Sequence, residues 1–359
     1  MIKTIVKREL INYLKNPIYY IGAILVFLSV YGSVSPYLQI HYFQNEGEIK
    51  TLDYDTGYQD ADIMDGYIPA SKEDKYLNGL MKIKADLIKH FNVPQTEAEA
   101  QINKLKESGS PIANISTYLE AKYSFYNVEQ YFKFDDMKKA TVEEANNYIN
   151  NALSKKTYSN FFSRKYVDYL TLNIIFYAIL LFAFLFIRDS KKDIYELLHT
   201  KPIKARQYII GKLLGGLAAI LLVVIIVTVI FDAMVIFHGN SVGFPVSIWD
   251  LWLGMLLYVI PNIFMVVSVY AGVSVLFKNP LPAIPALVLY MIYSNMGTRL
   301  EDGSYGYRIR KLAILVRFPD TFFETVTPAQ AIFNQLFLVA CAMLIIFLSI
   351  NVWKRRRVY

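Results

Sequence analysis

Glu9, Arg188, Lys212 and Asp232 are charged residues in or beside long apolar runs. Ionised groups at such positions are costly, so they pair, reach toward water, or mark a functional site. Glu9 falls near the middle of an apolar helical face. It either reaches sideways to Lys or Arg in a headgroup layer, or is the buried partner of a cation in a helix bundle, with Lys212 and Arg188 as the cations within reach. Lys212 stands about one turn into an apolar run and can snorkel to the headgroups. Gly211 and Gly215 form a small-xxx-small pair that permits close helix approach. Asn173 and Asn262 suit hydrogen bonds between helices or a substrate route. Enzymatic chemistry is poorly supplied. The four histidines, His41, His90, His199 and His238, are far apart, and neither an H-E-x-x-H zinc helix nor a G-x-S-x-G elbow occurs. The one cysteine, Cys341, excludes an intrachain disulfide and a cysteine-rich metal site. No G-x-x-x-x-G-K-[ST] phosphate loop is present; "GKLLGG" at Gly211 lacks the leading glycine. We therefore expect no catalytic residues and no metal or cofactor held by this chain.

The elements that must position these groups are membrane spans. The 359 residues are 55% hydrophobic and only 19% charged, and the apolar residues collect in runs of about 20, the length that crosses a bilayer. The pattern predicts an all-α membrane protein with six spans: 18–38, 166–187, 208–237, 249–277, the short proline-bearing 281–296, and 331–353. The net charge of +7 is concentrated beside these runs, which argues for membrane orientation and against nucleic acid. Lys3, Lys7, Arg8 and Lys15, then Arg188 to Arg206, then the tail "KRRR" at 354–357 all fall on one side if there are six spans. The positive-inside rule makes that side the cytoplasm and puts both termini of a plasma-membrane protein there. Residues 39–165 form a polar insertion long enough to be an extracytoplasmic domain. Ser71 with Asp74, Thr96 with Glu99 and Thr141 with Glu144 read as helix-start capping pairs within it.

Residues 1–17 read as an amphipathic helix on the inner membrane surface. Ile2, Ile5, Val6, Leu10, Tyr13 and Leu14 share one face, while Lys3, Lys7, Arg8 and Lys15 meet anionic lipid. Between the second and third runs lies "DIYELLHTKPIKARQYIIGK", 193–212. Ile194, Leu197 and Leu198 have i, i+3, i+4 spacing and give a short helix an apolar face, and Pro202 ends it. A plain loop needs neither feature; a docking surface for a cytoplasmic partner needs both.

That stretch resembles the segment between the second and third spans of type-two ABC exporter permeases, through Glu196, Leu197, Leu198, Thr200, Pro202, Ile203, Lys204, Arg206, Gly211 and Lys212. "KRELINYLKNPIYYI" is similar to the family's interfacial connecting helix. The resemblance covers the membrane part and not 39–165. It implies that 188–207 docks on a separate cytoplasmic ATPase, which binds ATP and Mg, through Ile194, Glu196, Leu197, Leu198 and Pro202. It also implies a second permease subunit, identical or paralogous, and an ATP-driven export role. Residues 297–330 mix aliphatic, aromatic and basic residues and suit a half-inserted hairpin or a helix flat on the outer surface. In the resembling family such a hairpin gates the exit, which makes Pro282, Pro285, Phe318 and Phe322 the outer-gate candidates. A second reading keeps the docking helix but makes the chain a mechanotransmitter or sensor, whose outer domain regulates a cell-envelope partner or an antibiotic response.

Overall fold

The computed structural model describes residues 1–51, 61–132, 137–187, 189, 203–296, 298–299, 305–306 and 308–355. The chain divides into two compact units, Met1–Gln39 with Lys155–Tyr359, and Ile40–Ser154.

The first unit is a helix bundle. It opens with α1 (Ile2–Leu14) and α2 (Pro17–Val34). Asn16 divides them: its side chain accepts the Ile18 N–H at 3.1 Å, and Pro17 follows at the first helical position, where a missing N–H costs nothing. After the inserted unit come α7 (Tyr158–Ile187), α8 (Ala205–Val242), α9 (Trp249–Gly254), α10 (Ile260–Phe277), α11 (Ala283–Asn295) and α12 (Ala331–Arg355). A single π turn, Met255–Val259, joins α9 to α10. Pro261 follows it; proline lacks the N–H that an α-turn would use, and the wider turn absorbs the mismatch. Among the described residues five stretches have the length and apolarity to cross a membrane: Pro17–Gln39, Tyr158–Phe184, Ala205–Val242, Trp249–Phe277 and Ala331–Arg355. The expected fifth run is only the 13-residue α11, which rises about 20 Å, short of a hydrocarbon core of about 30 Å.

Tyrosines bind the bundle by donating to carbonyls that keep a second lone pair. Tyr19 of α2 donates to the Ala219 carbonyl of α8 at 2.8 Å, and Tyr177 of α7 donates to the Tyr19 carbonyl at 2.8 Å. Tyr270 of α10 donates to the Ile179 carbonyl. Asn173 and Asn262, expected between helices, instead donate to the carbonyls of Tyr169 and Tyr258 within their own helices.

The second span begins eight residues earlier than its apolar run. Helix α7 starts at Tyr158 rather than at 166 because Phe161 and Phe162 are buried and the charges of Arg164 and Lys165 are met inside the protein.

The second unit is mostly helical, as its capping pairs predict. It contains α3 (Lys72–Lys89), α4 (Gln95–Ser108), α5 (Ile112–Tyr123) and α6 (Val142–Leu153), with a small antiparallel pair, β1 (Tyr67–Pro69) and β2 (Met137–Lys139). Ser71 and Thr141 head complete capping boxes with Asp74 and Glu144. Thr96 does not cap. Pro94 takes that place, its carbonyl accepting the Ala98 N–H at 2.9 Å, and Glu99 pairs with Lys84 at 2.8 Å. The core of this unit gathers Leu80, Ile83, Leu87, Ile102, Ile115 and Leu119 with Phe125 and Phe132.

Candidate functional site

Among the described residues of the bundle, two polar centres join elements that the sequence reading singled out. The first joins α1, the end of α7 and the start of α8. Lys212 Nζ lies 3.0 Å from Glu9 Oε1 and 2.7 Å from Asp189 Oδ2, and Tyr208 donates to Asp189 Oδ2 at 2.5 Å. Lys212 is only 4% exposed and Glu9 9%. The stripe Gly211–Gly215 brings α1 this close: a Cβ on Gly215 would sit 2.5 Å from Glu9 Cβ, and one on Gly211 would sit 2.9 Å from Ile5 Cβ. Both neighbours are atoms near the backbone, so a larger residue would push α1 away. Glu9 therefore reaches inward to Lys212. A carboxylate in the middle of an apolar face is the sequence signal for this, because burial needs a paired cation. Lys7 and Arg8 on the same helix are exposed.

Asp189 and Lys212 flank residues 190–211, the stretch that carries the sequence motif. Ile194, Glu196, Leu197, Leu198, Pro202 and Arg188 lie outside the described residues. The chain emerges again at Ile203 and Lys204, and α8 starts at Ala205.

The second centre anchors the segment between α11 and α12. A short hairpin comes first, β3 (Thr298–Arg299) with β4 (Tyr305–Gly306). Residues 308–330 then run without a helix, yet Ala313, Ile314, Leu315 and Val316 are fully buried. Neither a surface helix nor a solvated loop describes this segment. Buried non-helical backbone needs protein to cover it and supply its hydrogen bonds, and here it does. Arg317 Nε pairs with Asp168 of α7, and its terminal nitrogen with Asn295 of α11. Asp168 Oδ2 also accepts the Phe318 N–H at 2.9 Å. Lys165 donates to the carbonyls of Phe318 and Asp320, and Arg164 to that of Thr325. Ser294 of α11 accepts the Ile314 N–H at 3.0 Å, and Asn334 of α12 donates to the Ala313 carbonyl at 2.8 Å.

Of the gate candidates, Phe318 and Phe322 are in this centre and buried. The Phe322 ring lies 5.1 Å from Tyr37 and 5.7 Å from Tyr158, and Phe318 meets Tyr258 at 5.8 Å. Pro282 and Pro285 are at the first turn of α11, about 20 Å and about 15 Å of helix from Asn295. The four do not form one group. Sequence reasoning missed Asp168, Arg164 and Lys165. The signal was an aspartate inside the run "YVDYLTLN", which in a span demands a partner.

Among the described residues no group of His, Cys, Asp and Glu is arranged to hold a metal ion. No curated protein and no solved structure matches the chain. The sequence model described as ABC-2 family transporter protein matches residues 3–356. With five stretches apolar enough to span a membrane and a match across nearly its whole length, the chain belongs to the ABC-2 transporter family, as a multi-pass permease.

Proposed function

We propose that this permease is the membrane half of an ATP-driven exporter, coupled to a separate ATPase through residues 188–207. The observation that supports the reading is the Glu9–Lys212–Asp189 cluster. Asp189 and Lys212 bracket the docking stretch in sequence and are 2.7 Å apart in space. Force applied between them by a docked partner reaches the end of α7 and the start of α8 together. Glu9 adds α1 to the same unit. Such a clamp passes motion of a cytoplasmic helix into three elements without slack. Glu196, Leu197 and Leu198 make the contact, and the partner binds ATP and Mg.

Both termini and the clamp face the cytoplasm in this reading, since Lys3, Lys7, Arg8 and Lys15 precede the first span and "KRRR" follows the last. That orientation counts α11 with the buried 313–316 stretch as the fifth of six crossings. Helix α1 lies at the inner headgroup layer with Lys7 and Arg8 toward lipid. A second permease subunit completes the pathway, and Ile40–Ser154 is extracytoplasmic. Co-purification of the chain with the ATPase encoded beside it tests the docking. Glu196→Arg and Leu197→Asp are expected to abolish co-purification while leaving the permease folded. Undiminished co-purification would refute the assignment.

A further inference from the structure

A cavity of about 240 Å³ opens between α12 and the chain leading into the buried segment, lined by Arg310, Lys311, Gln330, Phe333, Asn334 and Phe337 among others. Its chemistry is divided. At one end stand two adjacent cations and the N-terminal turn of α12, whose aligned peptide dipoles favour an anion. Arg310 is held over the Tyr293 ring at 5.0 Å, and Tyr293 donates to the Lys311 carbonyl at 3.3 Å, so the cationic end is fixed to α11. Asn334, 5% exposed, spends its N–H on the Ala313 carbonyl. Its Oδ1 is buried and accepts no hydrogen bond among the described residues. At the other end Phe333 and Phe337 are 68% and 46% exposed on the bundle surface and stack on each other, with ring centroids 6.3 Å apart. Leu312 and Gln330, both lining the cavity, hold positive φ of 62° and 66°. Non-glycine residues held there carry a backbone cost that concentrates at ligand sites.

We propose that this cavity binds the headgroup of an anionic glycerophospholipid. The phosphate meets Arg310 and Lys311, and an acyl chain lies along Phe333 and Phe337. The volume decides how much of the lipid enters. Pockets that enclose a drug-sized ligand measure about 300–1,000 Å³, so this one takes the headgroup and leaves the chains in the bilayer. The ligand fastens α12 to the chain that leads into the buried segment. The proposal needs only that α12 spans a membrane, and it stands or falls apart from the ATPase coupling.

The test uses the full chain in nanodiscs of nine parts phosphatidylcholine to one part phosphatidylglycerol, followed by detergent exchange and native mass spectrometry. Wild type is expected to keep phosphatidylglycerol. Arg310→Gln with Lys311→Gln removes two charges, each contributing a severalfold preference for anionic lipid, and is expected to weaken retention at least about tenfold. Gln330→Glu, a change at an exposed rim position, is expected to weaken it in the same direction in a chain whose interior is untouched. Lys278→Gln, on another loop, leaves it unchanged. Short-chain phosphatidylglycerol should displace the bound lipid, and inorganic phosphate should not. Equal retention by wild type, Gln330→Glu and the double variant would overturn the proposal. So would displacement by inorganic phosphate alone, which would make the cavity a simple anion site.

Discussion

The Lys212 ammonium stands 3.0 Å from the Glu9 carboxylate, across an interface where α1 meets the glycine stripe of α8. Both groups are buried, so their worth lies less in the attraction than in the cost of breaking it. Removing one member of a buried pair leaves an uncompensated charge, at about 3–5 kcal/mol. Lys212→Ala strands two carboxylates and is expected to cost at the upper end of that range. Glu9→Gln leaves Lys212 its bond to Asp189 and should cost about 1–3 kcal/mol. Unfolding of the detergent-solubilised chain checks the order. The double variant Glu9→Gln with Lys212→Met should be milder than Lys212→Ala alone, because no charge is left unpaired against Glu9.

Gly215 sets how near α1 can come. A Cβ there would fall 2.5 Å from Glu9 Cβ, a distance that forces backbone to move. Gly215→Ala is expected to destabilise by roughly 1–3 kcal/mol, and Gly215→Leu to detach α1. Amide hydrogen exchange in residues 2–14 should quicken in step, while exchange in α10 stays as in wild type.

Asp168 holds the buried segment through Arg317 and through the Phe318 N–H. Asp168→Ala is expected to cost about 3–5 kcal/mol and to expose the amides of residues 313–318 to exchange. Arg317→Gln should loosen the same amides less, since the Phe318 bond survives.

The capping boxes of Ile40–Ser154 carry a pH dependence. Hydrogen bonds from Ser71 hold the Asp74 carboxyl below its usual value of 3.8, and those from the Thr141 backbone and Lys138 hold Glu144 below 4.5. Folded values below the unfolded ones mean that the stabilisation is complete above the usual carboxylate range. It is lost as pH falls below about 4 through the depressed values. Exchange at the first turns of α3 and α6 should therefore rise in acid and stay flat between pH 6 and 8. Ser71→Ala and Thr141→Ala should each cost about 1 kcal/mol. Ser71→Ala should weaken the acid sensitivity of α3, whereas Thr141→Ala should leave most of it in α6, because Glu144 keeps its bonds to the Thr141 backbone and Lys138.

The sequence showed five of the six expected spans, the glycine stripe and two of three capping pairs because these are local: apolar run length, a four-residue spacing, a three-residue spacing. Glu9 was legible as a misfit on an apolar face, though its partner 203 positions away could be named only as one of two cations. Thr96 misled because Pro94, two residues earlier, fixes the helix start first. Asp168 and Arg317 were out of reach together, since nothing in either neighbourhood encodes a contact across 149 residues. For the same reason Arg164 and Lys165 looked like the polar edge of a domain, when carbonyls of the segment near Phe318 accept their hydrogen bonds.

Steady-state ATP hydrolysis by the permease–ATPase complex, reconstituted in proteoliposomes, tests the central claim of coupling most directly. The account predicts that Glu196→Arg and Leu197→Asp reduce permease-dependent hydrolysis to the level of the ATPase alone. Glu9→Gln should weaken the dependence while the complex stays assembled. Hydrolysis that responds to the permease equally in wild type and in all three variants would contradict it.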